Sequence, residues 1–144
     1  MSPKKAFIAM AAVMALSTTQ IPSQAVAGSP AELNDLQIAH VAYTADNIDI
    51  RYAHLALAIS SNPKIHAFAR TMIRDHAAVN DQALALLAKL KAQPQDNFLS
   101  KSLNKGAEKL IDEMSRLRGA AFDRRYADNE LGYHKAVNAL VENA

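Results

Sequence analysis

LNDLQIAHVAYTADNIDIRYAHLALAIS, residues 33–60, carries the clearest periodic pattern in this chain. Its apolar side chains recur at steps of three and four residues, a spacing that aligns them on one face of an α-helix. We call this apolar face the seam, and it consists of Ile38, Val41, Ala45, Ile48, Tyr52, Leu55 and Ile59. The pattern predicts one long amphipathic helix whose opposite, solvent-facing side carries His40, Thr44, Asn47 and Arg51.

A second helix is expected after a short break at residues 60–63. Asn62 is a favourable N-cap, and Pro63 fits the first turn of a helix because its missing N–H would have no partner there. We expect this helix to run to about Lys91. Its inward face would carry Ile65, Phe68, Met72, His76, Val79, Ala83, Leu86 and Leu90.

Two further helical regions follow a loop at residues 93–97. The third begins between Ser100 and Asn104, and the fourth follows a bend or break at Gly119 and ends at about Glu142. Their expected inward side chains are Leu110, Ile111, Met114 and Leu117, then Phe122, Tyr126, Tyr133, Val137 and Leu140. Because no segment alternates with the period of a strand, we predict an all-α antiparallel bundle of three long helices plus a short or bent segment.

Residues 1–27 have the pattern of a secretory signal peptide. Lys4 and Lys5 precede an uncharged run at residues 6–16, and the segment ends in Ala25-Val26-Ala27. The run is too short to span a bilayer, which needs about 20 helical residues. Cleavage near Ala27 would release a periplasmic or secreted domain, residues 28–144, with no transmembrane segment. A retained, uncleaved anchor is the alternative.

The composition argues against several function classes. With no cysteine, the chain has no disulfide, thiolate metal site or cysteine nucleophile. Removing the two lysines of the signal peptide from the 16 basic residues leaves 14, equal to the 14 acidic ones. A neutral mature domain argues against a nucleic-acid partner. The mixed charges of the second helix give little support to membrane-surface binding, and no phosphate-binding loop or zinc-protease motif is present.

His76 lies within the apolar face of the second helix, and two roles are open for it. It is either a core histidine bonded to a carboxylate or tyrosine of a facing helix, or a group that binds a metal ion or transfers a proton. On the last helix, Asp123, Glu130 and His134 share one side, and Glu130 and His134 are one turn apart. That side would either chelate an ion or form an ordinary solvated ion pair.

Asp49 lies at the edge of the seam on the first helix, among small alanine neighbours that leave its carboxylate room to reach inward. The alternative is a rim acid paired with Arg70 or Arg74. The chain contains no Glu-x-x-His sequence, which disfavours a dinuclear iron site of the ferroxidase type. One mononuclear histidine and carboxylate site for zinc, copper, iron or manganese stays open.

Two segments, FARTMIRDHAAVN (68–80) and LRGAAFDRRYADNELGYHKAV (117–137), resemble the signatures of a family of exported bacterial proteins of unknown function. Members are often labelled outer-membrane proteins and are placed among the ferritin-like proteins. The patterns are F-A-x-x-M-x-x-D-H and G-x-x-F-D-x-x-Y followed by a histidine. The resemblance implies a ferritin-like bundle in which a polar network or a metal site is formed by Asp75, His76, Asp123, Tyr126 and His134.

Two departures from the family pattern bear on the site and on assembly. Asp49 stands where the family has glutamate, and many members continue with a further helix beyond the last histidine. We therefore expect an uncovered apolar flank and self-association into a homo-oligomer.

Three functions follow from these observations. The first is a non-catalytic periplasmic protein that binds one divalent transition-metal ion, or an envelope protein partner, in metal handling or envelope stress. The second is a metal-dependent, ferritin-like oxidase or peroxide-consuming enzyme. The third is a purely structural or assembly protein.

Overall fold

The computed structural model of the protein describes residues 33–142, with the backbone alone for residue 141. The signal peptide expected at residues 1–27 lies outside this range. Residues 33–142 form four helices and no strand: α1 (Asp35–Ile59), α2 (Pro63–Lys89), α3 (Phe98–Ser115) and α4 (Gly119–Glu142). The predicted all-α bundle is confirmed. The segment expected to be short or bent is α3, which with 18 residues is the shortest of the four helices.

The helix boundaries follow from local side-chain chemistry. The Asn62 side chain accepts a hydrogen bond from the Lys64 N–H directly after the turn, with Pro63 in the first helical position, as predicted. Asn97 caps α3 and starts it slightly earlier than expected. Gly119 has a φ of 56°, a left-handed conformation that glycine adopts readily, and it separates α3 from α4.

α1 is the central helix of the bundle. It packs against α2, α3 and α4, whereas α2 hardly approaches α3 or α4. The largest cluster of buried apolar side chains accordingly centres on α1 and consists of Ile48, Tyr52, Ala53, Ala56, Ala69, Ala107, Met114, Phe122 and Tyr126. A helix with three neighbours buries a broad part of its surface. Some polar side chains of α1 are therefore buried together with the apolar ones.

The central position of α1 corrects one expectation. Thr44 was expected to face solvent, but it is only 6% exposed. The seam was inferred as a single narrow stripe, which suits a helix with one neighbour. Because α1 contacts helices on several sides, residues flanking that stripe are buried as well.

The second half of α2 corrects another expectation. Val79, Leu86 and Leu90 were predicted to face inward, but each is more than half exposed. The cause is the one-sided packing of α2, whose backbone lies close to α1 and hardly approaches the backbones of α3 and α4. Apolar side chains directed away from α1 therefore have no cover among the described residues.

Asp123 fastens the first turns of α4 to the α1–α2 connection. Its Oδ1 accepts a hydrogen bond of 2.6 Å from the Ser60 hydroxyl, and its Oδ2 accepts one of 3.0 Å from the Asn62 side-chain amide. The same asparagine caps α2. One carboxylate thereby joins three helices at this end of the bundle.

Among residues 33–142, none of the helices combines the length and the apolar character needed to cross a membrane.

We expect Asp123→Ala to lower the free energy of unfolding by about 1–3 kcal/mol, because it leaves the Ser60 and Asn62 donors without their acceptor. Urea denaturation would measure the change. The matched control is Asp128→Ala, a substitution at an exposed position of the same helix, which should stay within about 0.5 kcal/mol of the unmodified protein. Equal effects of the two substitutions would contradict the role assigned to Asp123.

Candidate metal centre

Three helices bring Asp49, His76 and His134 together midway along the bundle. Asp49 comes from α1, His76 from α2 and His134 from α4. One potential ligand atom from each residue lies within 4.8 Å of the other two. The two histidine Nε2 atoms lie 2.9 Å and 3.1 Å from the same oxygen, Asp49 Oδ2. We call these three residues the triad.

The sequence of α1 explains how a carboxylate reaches this position. Ala45 and Ala53 lie one turn before and one turn after Asp49, and both are buried. Their small side chains leave space at the face where the histidines of α2 and α4 enter. Asp49 itself is only 1% exposed, so its charge is held almost entirely by protein groups.

Both histidines are oriented by hydrogen bonds on the side of the ring that faces away from Asp49. His76 Nδ1–H donates to Asp46 Oδ1 at 2.7 Å. His134 Nδ1–H donates to the Glu130 backbone carbonyl at 2.8 Å. Outer acceptors of this kind fix the ring orientation and the tautomer of metal-binding histidines, so that Nε2 is directed at the ion.

The charges around His76 and Asp49 stabilise each other. Hydrogen bonds to Asp46 and Asp49 raise the pKa of His76 to about 10, against the opposing effect of burial. Burial alone would raise the pKa of Asp49, but the hydrogen bond with His76 and the adjacent Glu130 carboxyl outweigh it, and the pKa falls below its ordinary value. In the absence of an ion, His76 is therefore a cation held between two carboxylates.

Glu130 lies beside the triad in a different protonation state. Burial and the neighbouring Asp49 charge raise the pKa of Glu130 to about 9. Burial also raises the pKa of Tyr126 far above its usual range. Asp49 Oδ1, both carboxyl oxygens of Glu130 and the Tyr126 hydroxyl are buried and have no hydrogen-bond partner in the described part of the chain. A proton or a cation shared by the two carboxyl groups would satisfy the oxygen atoms.

The candidate residues inferred from sequence fall into two groups. Asp49, His76 and His134 meet in the triad, with Glu130 beside it and Tyr126 buried in the adjacent core. Asp75 and Asp123 lie elsewhere. Asp75 is on the surface, 2.7 Å from Arg74, so one of the two arginines considered as partners for Asp49 is paired with Asp75 instead. Asp123 bonds to the α1–α2 connection instead of the triad.

Asp46 is the participant that sequence reasoning missed. It precedes Asp49 by three residues, so the two carboxylates lie on neighbouring positions of the same helix face. That spacing was the available signal. His54, by contrast, is exposed, and His66 Nε2–H donates to the Ser60 carbonyl at 2.6 Å.

Two imidazole nitrogens and one carboxylate oxygen suit a divalent transition-metal ion. Zinc accepts both donor types, and two histidines with one carboxylate are also a known ligand set for Fe(II). The partnerless Oδ1 of Asp49 fits the same interpretation, because an ion bound to this carboxylate would supply the missing partner. The donor set and its outer hydrogen bonds therefore match a mononuclear centre.

We expect the protein without added metal to lose stability as the pH rises from about 5 to about 10. His76 and Glu130 ordinarily titrate at 6.5 and 4.5, and folding raises their pKa values to about 10 and about 9. The folded chain therefore binds more protons than the unfolded chain in this window, and the free energy of unfolding falls as protons are lost. Urea denaturation across this range measures the slope.

Glu130→Gln provides the comparison for the pH experiment. It removes one of the two titrating groups, so the decline between about pH 5 and about pH 9 should become shallower. A stability that is constant or increasing over this range in the unmodified protein would be inconsistent with these pKa shifts.

Comparison with known proteins identifies a family and no individual relative. Neither the curated proteins nor the solved structures give a match. The family model described as "Domain of unknown function (DUF4142)" matches residues 20–144, which include all four helices and every residue of the triad. The chain belongs to the DUF4142 family of proteins of unknown function.

Proposed function

We propose that the protein binds one divalent transition-metal ion through Asp49, His76 and His134, as a non-catalytic protein of metal handling. The observation that carries the proposal is the orientation of the two imidazole rings. Both Nε2 atoms converge on Asp49 Oδ2, while both Nδ1 atoms are bonded to outer acceptors. An ion would replace hydrogen at Nε2 without requiring either ring to turn.

The cellular setting of this proposal rests on the sequence. The signal-peptide pattern of residues 1–27 supports export to the periplasm, where a metal-binding bundle would act in metal handling or envelope stress. The proposed relationship to ferritin-like proteins likewise rests on the sequence signatures and on a helical bundle with an internal carboxylate and histidine cluster.

The purely structural function is the main alternative, and one observation favours it. His76 bonds to Asp46 on one side and lies 2.9 Å from Asp49 on the other. A histidine cation between two carboxylates is a satisfied network that needs no metal to join α1 to α2. Metal binding must therefore compete with a proton on His76, and its strength decides between the two functions.

The oxidase alternative has weaker support. Within residues 33–142, the triad is the one cluster of three or more histidine or acidic residues arranged to hold an ion. A dinuclear oxidase requires carboxylates and Glu-x-x-His pairs from four helices. The triad supplies ligands from three helices and corresponds to one ion.

Thermal denaturation with zinc, copper, iron, manganese and nickel tests the proposal. An ion at about 100 times its dissociation constant adds about 2.7 kcal/mol to the free energy of unfolding, which raises the melting temperature by several degrees. We expect this rise in the unmodified protein and its loss in His76→Ala and His134→Ala. His54→Ala is the matched control, because His54 is exposed on α1 and lies outside the triad.

Two outcomes would count against metal binding and in favour of a structural network. One is the absence of a rise with every ion while the protein is folded. The other is an equal rise in His76→Ala and in the unmodified protein, which would place the ion elsewhere.

We also propose self-association through α2, whose exposed Val79, Leu86 and Leu90 would be covered by a second copy of the chain. Light scattering should give at least a dimer at micromolar concentration, and Leu86→Glu combined with Leu90→Glu should give a monomer. Gln82→Glu is the charge control on the same helix. A monomeric unmodified protein would contradict the proposal.

A further inference from the structure

A pocket of about 530 Å³ lies between α2 and α4, beside the triad. Such a gap arises because these two helices both pack on α1 while their backbones hardly approach each other. The side walls are apolar, with Ile65, Phe68 and Met72 from α2 and Leu131 from α4. Small-molecule sites in proteins have volumes of about 300–1,000 Å³ and mostly apolar walls with few polar groups.

The polar groups of this pocket are buried and have no partner. Tyr126 is 0% exposed and Glu130 is 3% exposed, and both line the pocket. Neither the Tyr126 hydroxyl nor the Glu130 carboxyl oxygens find a hydrogen-bond partner among residues 33–142. Buried polar atoms are nearly always bonded, so atoms left over at a pocket indicate where a ligand would bond.

In contrast to these buried polar groups, two apolar side chains of the pocket wall are largely exposed to solvent. Phe68 is 40% exposed and Leu131 is 61% exposed. A ligand with an apolar body would cover these side chains while its polar end reaches Tyr126 and Glu130. The arrangement therefore calls for an amphiphilic molecule with one small polar head.

We propose that this pocket binds an uncharged apolar alcohol or phenol, whose hydroxyl donates to the Glu130 carboxyl and accepts from the Tyr126 hydroxyl. A carboxyl group offers an accepting oxygen whether or not it carries a proton, and the tyrosine O–H donates. A hydroxyl is the smallest head that matches both. An ammonium head has no lone pair to accept from Tyr126, and a carboxylate head would place a second negative charge close to the buried Asp49 carboxylate.

This ligand site goes beyond the proposed metal centre and does not require a bound ion. His134 lines the pocket, but its Nε2 is directed at Asp49. The bonding groups assigned to the ligand, Tyr126 and Glu130, are not members of the triad. The two sites can therefore be tested separately on the same protein.

Calorimetric titration of the metal-free full-length protein with 1-butanol, 1-hexanol and 1-octanol tests the proposal. We expect the affinity to rise about threefold to fourfold for each methylene group, the increment for burying apolar carbon. Hexanoate and hexylammonium, matched in chain length to hexanol, should bind more weakly. No detectable alcohol binding, or tighter binding of either charged compound, would overturn the proposal.

Two tyrosine substitutions separate the hydroxyl contact from a general effect on folding. Tyr126→Phe should weaken hexanol binding about threefold to tenfold, the range for losing one hydrogen bond. Tyr133→Phe is the matched control, because the Tyr133 hydroxyl donates to the Ala45 carbonyl outside the pocket and should not affect hexanol affinity. Unchanged affinity in Tyr126→Phe would contradict the assigned contact.

Ala127→Trp tests the location. Ala127 lines the pocket from an exposed position, so a large side chain there should fill the space and abolish alcohol binding. His76→Ala should remove metal binding and leave hexanol affinity intact, whereas Tyr126→Phe should weaken hexanol binding and leave metal binding intact. Retained alcohol binding in a folded Ala127→Trp protein would place the ligand elsewhere.

Discussion

The buried carboxylate of Asp49 is the constraint on which the centre of this bundle depends. An ionised carboxylate removed from water must be given charged or hydrogen-bonding partners, because an unpaired one would be far too costly. His76 of α2 and His134 of α4 are those partners, and each approaches the same oxygen atom. The packing of α2 and α4 on α1 is therefore coupled to the charge state of a single side chain, and α1 acquires its central position from polar as well as apolar contacts.

The same buried carboxylate allows the site to hold either protons or a metal ion. Without an ion, His76 is a cation between Asp46 and Asp49, and Glu130 retains a proton. With an ion, the positive charge would come from the metal and the protons would leave. Because the outer hydrogen bonds of both imidazole rings persist in either state, the helices need not move. The same side chains can thus form either a structural network that holds protons or a metal centre. The relative affinity of these side chains for protons and for the metal ion decides which of the two forms.

The positions of the helices could be predicted from the sequence more accurately than the contacts between them. The apolar periodicity of a helix is contained in its own sequence, so α1 could be predicted from it. The Asn62 cap could likewise be predicted from the residues around it. Burial depends on how many helices surround each one, which is why Thr44 and Leu86 were misplaced. Partners across helices depend on the axial register between them, which no single-helix pattern contains. His76 and His134 were recognised as candidates from their spacing, but the Asp123 hydrogen bonds to the α1–α2 connection could not be inferred.

X-ray absorption spectroscopy of the zinc-loaded protein tests the central claim most directly, because it reports the atoms bound to the ion. The account predicts two imidazole nitrogens at about 2.0–2.1 Å together with oxygen ligands. It also predicts the loss of one imidazole in folded His134→Ala protein that still holds zinc. A first shell of oxygen alone, or a spectrum unchanged by that substitution, would contradict the claim that the Asp49, His76 and His134 triad is a metal centre.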